Sequence, residues 1–219
     1  MFLNGQACLL DRVPAGENST RLSFFFREQG LQQALLRERR KPGPCGPDLF
    51  QIGDVTLRKK SPEAIGFVVE FSLSEDFSGI ARSYQQLTAA SVTTRFFQRN
   101  LLHLESYETA WELLVHALRA YAARPLPSAT LFKLVYRFAR DEGYPVTRGW
   151  LHALSTASRV EIETLLRAPL DELVLPEARV LHWLERLSHY LERETAIYPP
   201  DWSLLSGGMG PRSGPCRAE

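Results

Sequence analysis

The sequence predicts an α+β protein in which an N-terminal five-stranded OB-like barrel precedes an all-helical domain. Two observations predict this order. Apolar residues recur at every second position in several short runs before residue 75, which is typical of half-buried strands. After Ser78 they recur at every third or fourth position, which is typical of helices. The predicted domains are residues 1–75 and 78–195, and the Gly/Pro/Ser-rich residues 203–219 are expected to form a disordered tail.

The predicted strands are short and are separated by turn residues. Pro14, Gly16 and Asn18 interrupt the first apolar run, and Gly30 closes a tight turn after the second. Five strands of this length match an OB-type Greek-key barrel, although an SH3-like barrel or a split sandwich would give a similar pattern. The predicted strands are 5–13, 20–27, 31–36, 55–60 and 65–71.

The second predicted strand has two different faces. Leu22 and Phe26 share an apolar face, whereas Arg21, Phe25 and Arg27 share the other. A phenyl ring between two guanidinium groups could stack on a base while the cations hold phosphates. The alternative interpretation is that Phe25 packs against the helical domain and that the two arginines are solvated.

A basic run follows the third predicted strand, and a second basic group ends the fourth. The formal net charge of the whole chain is only +1, so any affinity for nucleic acid must come from such local patches. Loops and strand ends of one barrel could place both groups along one groove. The predicted DNA-binding residues are Arg21, Phe25, Arg27, Arg37, Arg39, Arg40, Lys41, Arg58, Lys59 and Lys60.

The remainder of the chain predicts five helices. Pro125 and Pro127 end the second of them, Ser128 is placed to cap the third, and Gly143 is placed to end it. The predicted helices are 80–99, 106–122, 130–140, 160–166 and 177–193.

The third predicted helix carries a basic stripe. Lys133, Arg137 and Arg140 are spaced by four and three residues, which places them on one face beside Phe132 and Tyr136. An apolar groove edged with cations suits a peptide that is acidic and ends in an aromatic residue. The alternative interpretation is an ordinary solvated helix face.

The sequence contains none of the common catalytic or metal-binding motifs. It has no GxSxG, no phosphate-binding glycine loop and no HExxH. Cys8, Cys45 and Cys216 form no CxxC pair, so we expect no zinc and no other cofactor. An odd number of cysteines without a signal peptide favours the cytoplasm, and no apolar run is long enough to predict a membrane span. We therefore expect a protein that is not an enzyme.

Three segments of the sequence together resemble one protein family. They are the hairpin Arg21–Gly30 with the basic run through Pro42, then Tyr84–Leu87 with Leu101, Leu102 and Glu105 behind it, and finally Leu131–Phe138 ending in Gly143-Tyr144-Pro145. Their order is similar to that of RecO-type DNA repair proteins, the recombination mediators of bacteria, and the likeness covers roughly residues 5–195. Two features depart from the family: Glu38 interrupts the basic run, and the cysteine zinc module that many members carry after the Gly-Tyr pair is missing.

The resemblance implies a non-enzymatic function in a bacterial, nucleoid-associated setting. RecO-like proteins bind single- and double-stranded DNA and anneal complementary strands. They contact the acidic tail of the single-stranded-DNA-binding protein, here assigned to Phe132, Lys133, Tyr136, Arg137 and Arg140. With a RecR-type partner they help to load a RecA-type recombinase.

Two other classes of function remain open from the sequence. One is a helical scaffold whose barrel binds protein instead of DNA. The other is an enzyme whose site is assembled from scattered residues. A steep salt dependence of DNA binding would argue against the first, and a pocket of titratable groups with shifted pKa values would support the second.

Overall fold

A computed structural model describes residues 1–37, 46–124 and 126–206. Within these residues five strands are followed by helices, so the predicted α+β layout is confirmed. The strands are β1 (Phe2–Pro14), β2 (Ser19–Phe26), β3 (Gly30–Arg37), β4 (Ile52–Arg58) and β5 (Gly66–Glu75). The α-helices are α1 (Tyr84–Asn100), α2 (Glu108–Ala123), α3 (Pro127–Asp141), α4 (Thr156–Arg167) and α5 (Glu177–Glu194).

The strands form a closed barrel in the order β1-β2-β3-β5-β4. All neighbouring pairs are antiparallel except β3 and β5, which run parallel where Ala34 and Leu35 face Gly66 and Phe67. Strand β1 is long enough to pair with β4 through its first half and with β2 through its second. A shift in register between Leu9 and Asp11 bends it around the barrel. This closed five-stranded arrangement is the predicted OB-like barrel.

Side chains alternate between the two faces of each strand, and those on the inner face fill the barrel. Leu22, Phe24 and Phe26 of β2 are fully buried and pack with Leu9 of β1 and Leu57 of β4. Burying one such side chain contributes roughly 1.5–3 kcal/mol, so this layer is a major source of the barrel's stability. Neighbouring residues on each strand therefore point outward, either toward solvent or toward the helices.

The other face of the barrel packs on the helices. Cys8, Leu10 and Phe25 belong to the same continuous core as the buried residues of the helices. The Phe25 ring stacks at 6.2 Å from that of Phe97 and meets Trp111 edge-on at 5.5 Å. Helix α3 lies at the centre of the helical part and packs against α1, α2 and α5.

Short helical turns connect and extend these elements. They are Ser78–Arg82, Leu101–His103, Leu151–Ala153, Leu170–Glu172 and Trp202–Ser206, with a π-helical turn at Val146–Trp150. In the turn Trp202–Ser206 the side chain of Leu205 is buried, so residues 203–206 are ordered and differ from the predicted disordered tail. Residues 207–219 of that tail lie outside the described residues.

The two ends of α3 agree only in part with those predicted from the sequence. Gly143 has a φ of +81°, which is the left-handed conformation expected after a helix. Ser128, however, is not the cap, because the helix already begins at Pro127. Its hydroxyl instead donates to Glu177 Oε1 at 2.8 Å and ties α3 to the start of α5.

The described helices include none that is both long and apolar enough to cross a membrane.

Candidate nucleic-acid and peptide interfaces

A row of outward-facing residues crosses the whole barrel. We call it the outward row, and each member lies directly opposite the next on the neighbouring strand: Phe2, Arg58, Phe67, Leu35, Arg21 and Val13. The row leaves β1 at Phe2, the first residue of the strand, and returns to it at Val13, near the other end, because barrel strands tilt against the axis. It thereby joins two phenyl rings and two guanidinium groups on one continuous surface.

Strand alternation explains why these residues point outward. Leu57 and Leu22 fill the barrel, so Arg58 and Arg21 next to them face solvent. Phe2 has an exposed fraction of 63%, which is unusual for a phenyl ring in a folded chain. Phe67 is half-buried. Aromatic rings that are at least partly exposed, with cations beside them, are a feature that marks binding surfaces.

Arg37 extends this surface beside Phe67. Its guanidinium carbon lies 5.4 Å from the centre of the Phe67 ring, which is within the range of a cation–π contact. Among the described residues, no carboxylate forms an ion pair with Arg21, Arg37 or Arg58. These three charges are therefore available to an anionic ligand.

The combination of rings and unpaired cations fits single-stranded nucleic acid. Each base that stacks on an aromatic side chain contributes roughly 1–3 kcal/mol, and guanidinium groups attract the phosphates between bases. A duplex keeps its bases stacked on one another and offers only its phosphates to such a surface. A surface with such rings would therefore suit single strands better than duplexes.

Two of the predicted DNA-binding residues on β2 and at its end are engaged elsewhere. The prediction that Phe25 stacks on a base is wrong, because its ring is fully buried against α1 and α2. The predicted DNA contact of Arg27 would have to compete with ion pairs to α2. The Arg27 guanidinium donates to Glu108 of α2 at 2.5 Å and lies 3.6 Å from Glu112, and these contacts raise the pKa of Arg27. Both residues attach the barrel to the helices.

The three basic residues at the end of β4 also differ in whether they are free to bind a ligand. Lys59 is buried, and its amine donates to the side-chain oxygen of Gln32 at 2.7 Å and to the backbone oxygen of Pro62. Its assignment to phosphate binding is therefore wrong. Arg58 and Lys60 on either side of it are exposed, so their assignment stays a prediction. Residues Arg39, Arg40 and Lys41 lie outside the described residues.

Sequence reasoning missed the two phenyl rings of the outward row. The alternation of residues 65–71 placed Phe67 and Phe71 on one face of a strand. A shift in register between Thr56 and Leu57 inserts one extra residue into β5, and Val68 and Phe71 both pack into the barrel core as a result. Phe67 points the other way, and no feature of the sequence marks this bulge.

A groove of about 410 Å³ lies between α2 and α3. We call it the α2–α3 groove. Its apolar walls come from Leu113, Ala117 and Ala120 of α2 and Leu134 of α3. Its basic residues are His116, Arg119, Arg124, Lys133 and Arg137, and none of the described residues that line it is acidic.

Lys133 and Arg137 face this groove as predicted from their spacing. The Lys133 amine donates to the backbone oxygen of Ala168, and burial, followed by repulsion from Arg137 and Arg124, lowers the pKa of Lys133. Arg137 is exposed and pairs with no carboxylate among the described residues. An acidic ligand would relieve the mutual repulsion of these cations and find an apolar wall beside them.

The other predicted members of this site lie elsewhere. Phe132 and Tyr136 are buried, where their rings stack on each other at 6.5 Å and both pack on Trp150. Arg140 pairs with its neighbour Asp141 at 2.6 Å and does not line the groove. The assignment of Phe132 and Tyr136 to the peptide site is therefore wrong, and α2 provides most of the apolar wall in their place. The assignment of Arg140, whose side chain is exposed, stays a prediction.

A second cavity of about 600 Å³ lies near the end of α3. His103, Glu105, Asp141 and Glu142 line it together with polar and aromatic residues. Burial, and then the charge of Asp141, raises the pKa of Glu142. No hydrogen bond joins any two of these four side chains, so the described part of the chain shows no hydrogen-bonded acid–base pair in this cavity.

The part of the chain that the structure describes offers no candidate metal site. No group of three or more His, Cys, Asp or Glu side chains there is placed to hold a metal ion. Cys8 is buried without a disulfide, whereas Cys45 and Cys216 lie outside the described residues.

The chain matches no model of a known protein family and no curated protein sequence at a significant level. The resemblance to RecO-type proteins therefore stays a prediction.

Proposed function

We propose that this protein binds single-stranded DNA on its barrel and acts as a non-enzymatic recombination mediator in DNA repair, similar to RecO-type proteins. The outward row is the observation that carries the proposal. It places Arg58 between Phe2 and Phe67 and Arg21 beyond Leu35, and Arg37 lies over the Phe67 ring beside the row. None of these three arginines has an ion-pair partner among the described residues. Annealing of complementary strands and loading of a recombinase are the further activities that the family resemblance adds to this proposal.

The affinity for single-stranded DNA should fall with salt concentration by a predictable amount. A single strand releases about 0.7 counterions for each phosphate that a cation neutralises. Arg21, Arg37 and Arg58 would together account for a slope of roughly −2 in a plot of log affinity against log salt concentration. Stacking on Phe2 and Phe67 would add affinity that salt does not remove.

The α2–α3 groove supports the proposed contact with a single-stranded-DNA-binding protein. The tail of that partner is acidic and ends in an aromatic residue and a carboxylate. The groove offers five basic side chains, an apolar wall and no acidic side chain among the described residues that line it. A RecR-type partner, double-stranded DNA and a bacterial cytoplasmic location belong to the proposal through the family resemblance alone.

The direct test is a titration of fluorescent oligothymidylate at several salt concentrations. A variant with Arg21→Gln, Arg37→Gln and Arg58→Gln should bind more weakly than the native protein, with a slope reduced by about two units. The matched control removes three exposed arginines from the helical part, Arg82, Arg148 and Arg193, in the same manner. Equal affinity and slope in the barrel variant and the control would remove the outward row from the DNA site.

A barrel that binds protein is the second candidate function, and β5 carries the observation that favours it. Val69 and Leu73 have exposed fractions of 54% and 52%, and Ile65 just before the strand is also exposed. Apolar contacts of this kind would tolerate salt, whereas phosphate contacts would not. If the protein fails to bind oligothymidylate even at low salt, this second function is favoured.

A further inference from the structure

One arginine of α2 lines the α2–α3 groove and also contacts the barrel. Arg119 lines the α2–α3 groove, and its guanidinium also holds Glu75, the last residue of β5. Its Nε and one terminal nitrogen donate to the two carboxylate oxygens at 2.8 and 2.9 Å. A two-point contact of this kind fixes the plane of the guanidinium and occupies the donors on that side.

A second groove arginine is neutralised in a similar way. Arg124 lies 2.5 Å from a carboxylate oxygen of Asp171, which belongs to the short helix Leu170–Glu172. Lys133 and Arg137 have no carboxylate partner among the described residues. The groove therefore has two cations that are free of carboxylates and two that the chain itself neutralises.

Both carboxylates come from outside the two helices that form the groove. Glu75 belongs to the barrel, and Asp171 belongs to the connection between α4 and α5. Neither Glu75 nor Asp171 lines the groove. An acidic side chain in the groove would approach Arg119 and Arg124 from the groove side and compete for the same charges.

We propose that Glu75 and Asp171 are internal competitors of an acidic peptide, which displaces them from Arg119 and Arg124 when it occupies the α2–α3 groove. This inference rests on the proposed use of the groove by an acidic partner. Competing carboxylates lower the affinity of the unoccupied groove, and their removal raises it.

The Glu75 contact also couples the groove to the barrel. Among the described residues, two arginines join the barrel to α2 by ion pairs: first Arg27 with Glu108 and Glu112, and second Arg119 with Glu75. A ligand that displaces Glu75 releases the second of them and loosens the attachment of β5 to α2. Because coupling between sites is reciprocal, a ligand that changes the position of β5 also changes the affinity of the groove.

The test measures binding of a labelled peptide with four aspartates and a C-terminal phenylalanine. Glu75→Gln should bind it about three- to tenfold more tightly than the native protein, because Arg119 is then free. Asp171→Asn should tighten binding through Arg124 and keeps the test open if Glu75→Gln loosens the fold. The matched control is Glu70→Gln, which removes from the same strand an exposed charge that has no ion-pair partner among the described residues. It should stay within about twofold of the native affinity.

A double variant locates the effect on Arg119. Adding Arg119→Gln to Glu75→Gln should abolish the gain, since the freed cation is then gone. Equal affinities of Glu75→Gln, Asp171→Asn and Glu70→Gln, with measurable binding by the native protein, would overturn the competition. Absence of peptide binding by the native protein and by every variant at low salt would instead overturn the proposed function of the groove.

Discussion

The guanidinium carbon of Arg37 lies 5.4 Å from the centre of the Phe67 ring, on the outer surface of the barrel. The two residues meet because β3 and β5 are neighbours through the parallel pairing of Leu35 with Phe67. In the absence of a ligand the cation covers the ring. A base that stacks on Phe67 would take its place, and we expect Arg37 then to turn toward the adjacent phosphate.

Phe25 should affect stability and not DNA binding. Its ring is fully buried between the barrel and the helices, so Phe25→Leu should lower the free energy of unfolding by about 1 to 3 kcal/mol. Urea unfolding measures this loss, and an oligothymidylate titration of the folded variant measures its affinity. A variant of native stability with weakened DNA binding would return Phe25 to the DNA site.

Arg58 and Lys59 are adjacent in the chain but should behave in opposite ways. Arg58→Gln should reduce the salt slope of DNA binding by roughly one unit and leave stability unchanged, because its side chain is exposed. Lys59→Gln should leave the slope unchanged and lower stability by about 1.5 to 3 kcal/mol, since its charged amine bonds to Gln32 and Pro62. Salt titrations and urea unfolding of both variants check the pair, and a reversed assignment would contradict the structure.

The basic residues of α3 should divide between groove and surface. Lys133→Ala combined with Arg137→Ala should weaken the acidic peptide by roughly tenfold or more, because both side chains line the α2–α3 groove. Arg140→Ala is the matched control on the same helix and should change nothing, since Arg140 pairs with Asp141. Fluorescence anisotropy of the labelled peptide measures all three proteins. Equal affinity for the double variant and the native protein would place the peptide elsewhere.

Cys8 should make stability fall at alkaline pH. Burial raises the pKa of its thiol, and the charge of Glu75 raises it further, so the folded chain keeps a proton that the unfolded chain loses above about pH 8.5. The contribution is fully present below that pH, and it is lost by up to about 1.4 kcal/mol for each pH unit above it.

The measurement compares unfolding free energies between about pH 8 and pH 10 in a protein whose Cys45 and Cys216 are serines. Cys8→Ala in that background should flatten the decline. Burial also raises the pKa of Tyr121, but an unfolded tyrosine ionises only near pH 10, so its effect begins later. Identical pH slopes with and without the Cys8 thiol would show that the thiol is not protected from solvent.

The fold follows from the sequence wherever local pattern decides it. Alternation in β2 correctly separates Phe24 and Phe26 inside the barrel from Arg21 on its outside. The same alternation cannot tell Arg21 from Phe25, which share a face of the strand. Four residues of strand span roughly 13 Å, and only the position of the helices decides that one end of this face is covered and the other is open.

The α2–α3 groove could likewise be predicted from the sequence only in part. The spacing of Lys133 and Arg137 predicts that they share a helix face, and both line the groove. Most of its apolar wall, including Ala117 and Ala120, comes from α2, and no spacing within α3 could predict that contact. The aromatic residues of α3 are buried in the central core instead, because that helix packs against α1, α2 and α5.

The most direct test of the central claim is single-stranded DNA binding by Phe67→Ala, measured against Val69→Ala as an exposed control on the same strand. Phe67→Ala should weaken oligothymidylate binding by about tenfold and leave the salt slope unchanged, because a stacking ring is lost and no cation is removed. Phe67→Trp should restore binding, and Val69→Ala should bind like the native protein. Native affinity in a folded Phe67→Ala variant would contradict the assignment of DNA binding to the outward row.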